Sequence, residues 1–266
     1  MKLQTEGKAF FLLLLTLFGI KGFSQEKNYD FELYGWINPQ YFLNSRHTAG
    51  ARDGLLSLYP LPPHYSEDGK DLNAKANHNF SAATTRIGTR IYLNNIANWK
   101  VVGNIEADFT GQSDANIHFL RLRQANVRIS RNKIFSLTAG HTWSVFCVPE
   151  MMPQMQELNN GTPFHPFSRL NQLRLDYSPV NAINLVGSVG LQKDYASIGI
   201  ENKRDYKQQS RTLIPEVNLQ FQFIKDDIFA GFTGEMKSIQ PREEYDDKLT
   251  TYAYNAFLNY KTERVN

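Results

Sequence analysis

The sequence predicts an all-β protein: an antiparallel transmembrane β-barrel of the porin type, with about ten strands present. Three observations predict it. Polar and apolar residues alternate with period 2 along most of the chain, and helical periodicity is scarce. The connections between alternating runs are long and short in turn, as extracellular loops and periplasmic turns are. The chain also opens on an export signal.

That signal occupies residues 1–24. Lys2 and Lys8 form a charged region, Ala9 to Ile20 an apolar one, and Gly22 and Ser24 supply small residues before a cut at Gln25. The apolar stretch is short of the roughly 20 residues that span a bilayer as a helix. Residues 25–266 form the expected barrel domain, exported to the outer membrane of a Gram-negative bacterium. Losing the leader's three lysines and one glutamate leaves 26 basic and 25 acidic residues, a net charge near +1. That balance gives no reason to expect nucleic acid as a partner. Cys147 is the only cysteine, so no internal disulfide is possible.

Each strand candidate rests on alternation. They lie at 30–44, 79–93, 98–110, 117–130, 133–144, 169–178, 182–193, 213–225, 228–238 and 250–263. "TTRIGTRIYL" puts Arg86 and Arg90 opposite Ile87 and Ile91. "NWKVVGNIEADF" puts Lys100, Glu106 and Asp108 opposite Val101 and Ile105. "QLRLDY" puts Arg174 and Asp176 opposite Leu173 and Leu175. "EVNLQFQF" and "YAYNAFLNY" repeat the pattern. The turns expected at 94–97, 131–132, 179–181 and 226–227 are short, and the intervening connections are long. A soluble Greek-key sandwich has no reason to alternate so. Trp99, Phe135, Tyr177, Phe223 and Tyr260 fall near the short turns, as an aromatic girdle would.

"RLRQANVRI" carries one anomaly. Arg121 and Arg123 share a face opposite Leu120 and Leu122, but the same parity puts Gln124, Asn126 and Arg128 on the lipid side. Either a β-bulge resets the phase, or that stretch faces a neighbouring subunit.

With these segments in view, the chain resembles the DcaP-like family of trimeric outer-membrane porins. "TTRIGTRIYL", "GNIEADFTG", "HFLRLRQANVRI", "AGHTWSVF" and "RLNQLRLDYS" carry the resemblance, over roughly residues 30–195. It implies a homotrimer of water-filled channels in outer-membrane lipid, passing small polar, often anionic, solutes without a cofactor. His141 departs from the family, which usually has Gln there. The chain ends Val265-Asn266, with no terminal aromatic residue. Ten strands are also few beside the roughly 16 to 18 of porin channels. The expectation is therefore a partial barrel from a truncated or split reading frame.

Two other classes compete: a barrel enzyme of the lipid-hydrolase type, and a soluble periplasmic β-rich binding protein. Glu106 and Asp108 form an i, i+2 carboxylate pair that a glycosidase could use. Flanking basic strands favour a salt-bridge ladder instead. His141 and Ser144 are close in sequence but lack an identifiable third group. His47, His64, His78, His118 and His165 have no metal-ligand spacing. Neither a catalytic nor a metal site is assigned.

The expected pore lining is Arg86, Arg90, Lys100, Glu106, Asp108, Arg121, Arg123, Arg174 and Asp176. The turn at 94–97 predicts that Arg86 stands opposite Glu106. The next hairpin predicts the pairs Glu106–Arg123 and Asp108–Arg121, with register slips of two residues keeping the same facing. A small basic excess should favour anions. The connection 145–168, rich in Met, Pro and Phe, is the expected constriction loop and contains Met152 and Phe164.

Overall fold

The structure is a computed structural model that describes residues 29–96, 98–153, 155, 165–194, 196–199 and 202–261. The expected signal peptide lies outside these residues. Strand β1 (Tyr29–Trp36) leads into a distal extension built from β2 (Gln40–Asn44), β3 (Thr48–Ala51), β4 (Leu56–Pro60) and β5 (Asn77–Ser81). The main wall resumes with β6 (Arg86–Ile96), β7 (Trp99–Asp108), β8 (Arg121–Arg131), β9 (Phe135–Trp143), β10 (Arg169–Val180) and β11 (Ile183–Gln192). A small pair, β12 (Ser197–Ile198) and β13 (Arg204–Asp205), and one helical turn, α1 (Gln208–Arg211), follow. The wall ends with β14 (Glu216–Lys225), β15 (Ile228–Ile239) and β16 (Leu249–Tyr260).

The wall is one antiparallel ten-stranded sheet in the order β1-β6-β7-β8-β9-β10-β11-β14-β15-β16. Neighbouring strands follow one another along the chain, except that β2–β5 are inserted between β1 and β6, and β12, β13 and α1 between β11 and β14. The sheet is not closed: β1 and β16 are its edges. Tight turns join the strands at one end. Asn132 and Lys133 both adopt positive φ, as a mirror-image hairpin turn demands.

Burial is inverted relative to a soluble protein. Glu106, Asp108, Arg123, Thr138, Gln172, Asp176, Asn218, Gln220 and Thr233 are buried. Leu33, Ile105, Leu122, Leu173, Leu219 and Leu258 are exposed on the opposite face. A water-facing apolar surface of this extent is unfavourable, whereas a lipid-facing one is what a membrane barrel presents. Trp99 and Phe135 meet edge to face at 6.1 Å near the tight turns, on the apolar side.

Three expectations need correction. The strand expected at 30–44 breaks at residues 37–39, where Asn38 donates from its backbone N to Thr85 Oγ1 (3.1 Å) and from Nδ2 to Thr84 Oγ1 (2.9 Å). The connection expected at 45–78 is not all loop, since it carries β3, β4 and the first two residues of β5. The first register is slipped by two residues: Arg86 stands opposite Asp108, and Glu106 opposite Gly88. The reason is a tighter turn than expected, with Ile96 paired to Trp99 and Asn98 at φ 66°.

Candidate functional site

The polar face is built strand by strand from alternate residues. On β1 and β6, Arg90 donates to Glu32 at 3.0 Å and Tyr92 Oη donates to the other Glu32 oxygen at 2.5 Å. The Arg86 guanidinium lies 4.1 Å over the Trp36 ring, and Arg90 4.5 Å over Tyr34. Lys100 sits 5.7 Å over Tyr92. These aromatic faces hold the cations upright without neutralising them.

The densest part is the β7–β8 ladder. Arg121 reaches Asp108 through Nε (3.0 Å) and Nη2 (2.6 Å). Arg123 bridges the two carboxylates, with Nε 2.7 Å from Glu106 and Nη1 2.9 Å from Asp108. Arg86 Nε lies 3.7 Å from Glu106, and Tyr34 Oη donates to the same carboxylate at 3.2 Å. Thr110 Oγ1 donates to Asp108 at 3.0 Å. Of the two expected register pairs, Asp108–Arg121 is present, whereas Glu106 stands opposite Gln124 and meets Arg123 only through the side chains. Further round the wall, Arg174 donates to Asp176 two residues along its own strand at 2.6 Å.

The anomaly in β8 is a bulge. Asp108 pairs with Arg121 and Ala107 with Leu122, but Glu106 pairs with Gln124, so Arg123 is the extra residue. The bulge returns the following even-numbered residues to the polar face. Gln124 accepts from Asn104 (3.4 Å) and from Thr142 (3.2 Å), and Arg128 donates to Ser136 (3.0 Å). Val127 and Ile129 then face outward. All nine expected pore-lining residues share one face, joined by Gln124, Asn126 and Arg128. The conflict of parity in the sequence was the signal for the bulge.

The connection after β9 folds onto this face. Gln220 Nε2 donates to the Val145 carbonyl at 2.9 Å, Asn255 Nδ2 to Phe146 at 2.8 Å, and Asn259 Nδ2 to Glu150 at 3.3 Å. Gln124 of β8 and Gln220 of β14 line one cavity of about 300 Å³ beneath it. Four strand spacings of about 4.8 Å separate those strands along the sheet, so the wall curls with its polar face inward. Met152, Pro153 and Met155 continue to a cavity of about 1200 Å³ shared with Asp226 and Asp227 of a tight turn. Phe164 lies outside the described residues. Cys147 is buried in the loop, and burial pushes its thiol up to about 12.

His141 takes the opposite face from the ladder. Its Nδ1 meets Asn171 Oδ1 at 3.2 Å, and its Nε2 lies 3.6 Å from Asp194. Ser144 Oγ accepts from the Phe146 N–H at 3.1 Å. Among the described residues no hydrogen bond joins His141 to Ser144.

No protein-family model and no curated protein matches the chain. Solved structures do, among them two outer-membrane proteins. The outer membrane channel DcaP of Acinetobacter baumannii aligns with a TM-score of 0.66 at 19% identity, over 91% of this chain and 63% of that one. The chain therefore spans less than two thirds of that channel's length. OmpT, an outer membrane protein of Vibrio cholerae carrying a loop deletion, aligns at 10% identity over 88% of this chain and 78% of that one, with a TM-score of 0.42. The first match shows the fold: this wall is built as an outer-membrane β-barrel is.

Proposed function

We propose that the chain is a porin of the DcaP-like kind, a passive outer-membrane channel for small hydrophilic solutes. The inverted burial carries this reading: a polar face curled around a loop, and an apolar face turned outward. The similarity of the wall to the DcaP channel supports it. The nine charged residues expected from the sequence line the water path with others of the polar face, and the loop containing Met152 narrows it. Each unpaired backbone group in lipid costs several kcal/mol. In this reading, the open edges of β1 and β16 are covered by further strands of the complete protein. The working unit is a homotrimer in outer-membrane lipid, exported by a cleaved signal peptide and needing no cofactor.

Selectivity rests on fewer charges than the residue count implies. Glu106 and Asp108 are shared among Arg86, Arg121 and Arg123, which leaves one excess positive charge in the ladder. Arg174 is matched by Asp176 and Arg90 by Glu32. Any preference for anions is therefore mild: that excess, with Lys100 and Arg128, is partly offset by the carboxylates of Glu216 and Glu235 on the same face. The enzyme alternatives fare worse: the Glu106 and Asp108 carboxylates are committed to guanidinium groups, and among the described residues His141 and Ser144 share no hydrogen bond.

Liposome swelling tests this reading. Vesicles holding the native protein should admit small neutral sugars and small organic acids, with their phospholipid left intact. Release of fatty acid without solute entry would favour the hydrolase. A mature chain that stays soluble and folded without detergent would favour the soluble binding protein.

A further inference from the structure

At the loop end of β14 the polar face gathers oxygen atoms that lack partners. Ser188 on β11, Asn218 on β14 and Glu235 on β15 occupy directly opposed register positions. Opposed Cβ atoms lie about 4.5–5.5 Å apart, so these side chains share one small area. Glu216 adds a second carboxylate, with Asn218 Nδ2 donating to its Oε1 at 3.3 Å. Glu216, Asn218 and Ser188 are only 3%, 0% and 4% exposed. Even so, Asn218 Oδ1 and Ser188 Oγ have no hydrogen-bond partner. Across Gly190, Gln172 Oε1 is another buried acceptor without a donor. Helix α1 lies against β11 and β15 beside this area, with Gln208 and Gln209 buried.

Positive charge near the cluster is sparse. Lys237 follows Met236, which pairs with Val217, and so lies beside Glu216. Among the described residues it forms no ion pair with either carboxylate. Arg174 stands opposite Ser188 but is committed to Asp176. Two carboxylates and one lysine leave the cluster one negative charge in excess, with neutral acceptors pointing at no donor.

We infer that this cluster binds a hard divalent cation of the Ca²⁺ class, held by Glu216, Glu235, Asn218 Oδ1 and Ser188 Oγ. Ca²⁺ accepts six to eight oxygens in irregular geometry, whereas Mg²⁺ demands a near-octahedral shell. Side chains from three strands of a twisted wall supply the irregular kind, and water completes the shell. With two carboxylates and two neutral oxygens, the affinity belongs to the extracellular class, a Kd on the order of 10⁻⁴ to 10⁻³ M. The bound ion ties β11, β14 and β15 together beside α1 and reverses the local charge. The site stands on these oxygens and does not depend on the chain conducting solutes.

Isothermal titration of chelator-stripped native protein in detergent with CaCl₂ at pH 7.5 tests it. One Ca²⁺ should bind per chain. Glu216→Gln with Glu235→Gln should weaken binding at least tenfold, and the exposed-loop control Glu244→Gln should leave it unchanged. Absence of saturable binding by the native protein overturns the site, as does equal binding by the double variant. Should that variant fail to fold, Asn218→Asp decides: an added charge among the ligands should tighten binding at least threefold, and no gain overturns the site.

Discussion

Asp108 on β7 and Arg121 on β8 stand directly opposite each other, joined by two hydrogen bonds of 3.0 and 2.6 Å. Arg123, the bulged residue, adds a third at 2.9 Å. Asp108 is 1% exposed, so its charge is sustained almost wholly by these groups and Thr110. Removing one partner of a buried charge pair costs about 3–5 kcal/mol, because the other is left uncompensated. Asp108→Asn should therefore lower the urea midpoint of the folded barrel markedly. An unchanged midpoint would mean that water, not Asp108, satisfies the two guanidinium groups.

The bulge at Arg123 makes a prediction about facing. Asn126 turns to the polar side and Val127 to the apolar side. A cysteine at 126 should react with a small charged thiol reagent in the native membrane, and a cysteine at 127 should not. Reversed labelling would mean that the phase is not reset.

The loop latch can be opened. Gln220 and Asn255 hold the backbone of residues 145 and 146 by hydrogen bonds of 2.9 and 2.8 Å. Replacing both with Ala should loosen the loop, raising single-channel conductance and open-state noise. A conductance unchanged from the native protein would remove the loop as the narrow point.

Cys147 predicts a dependence on pH. Burial raises its thiol to about 12 in the folded protein, against 9.0 when exposed. The unfolded chain therefore releases this proton at lower pH than the folded one. The group's contribution to stability is full below pH 9 and declines as pH rises from there toward 12. A maleimide reagent at pH 8 should label the folded protein slowly and the heat-denatured protein at once. Removing the thiol by Cys147→Ala should flatten the loss of stability above pH 9. Equal labelling of the folded and heat-denatured states would contradict the buried site.

Much of the wall was legible because period 2 is a local signal. Arg86, Lys100, Glu106 and Arg174 needed only their neighbours to be assigned a face. Asp108 opposite Arg121 was legible because the polar faces of β7 and β8 must match, which limits the register across their long connection. Arg86 was misplaced by two residues because the number of turn residues cannot be read from composition. The break at 37–39 was invisible, since Asn38 is held by Thr84 and Thr85, which are distant in sequence. The latch from Asn255 to Phe146 spans 109 residues, and no local pattern reports a contact of that kind. The oxygens around Asn218 were hidden for a related reason. "EVNLQFQF" shows which face they take, but not that Ser188 and Glu235 lie level with Asn218.

A polar face that lines a water path across the membrane must conduct ions. Single-channel recording of the native protein in planar bilayers tests it most directly. Discrete conductance steps are expected, with a mild anion preference at about 10 mM salt, where screening is weakest. Arg121→Ala with Arg123→Ala should move the reversal potential toward cations, since Glu106 and Asp108 then lose their main partners. Folded, inserted protein that passes no current under any salt gradient would contradict the account.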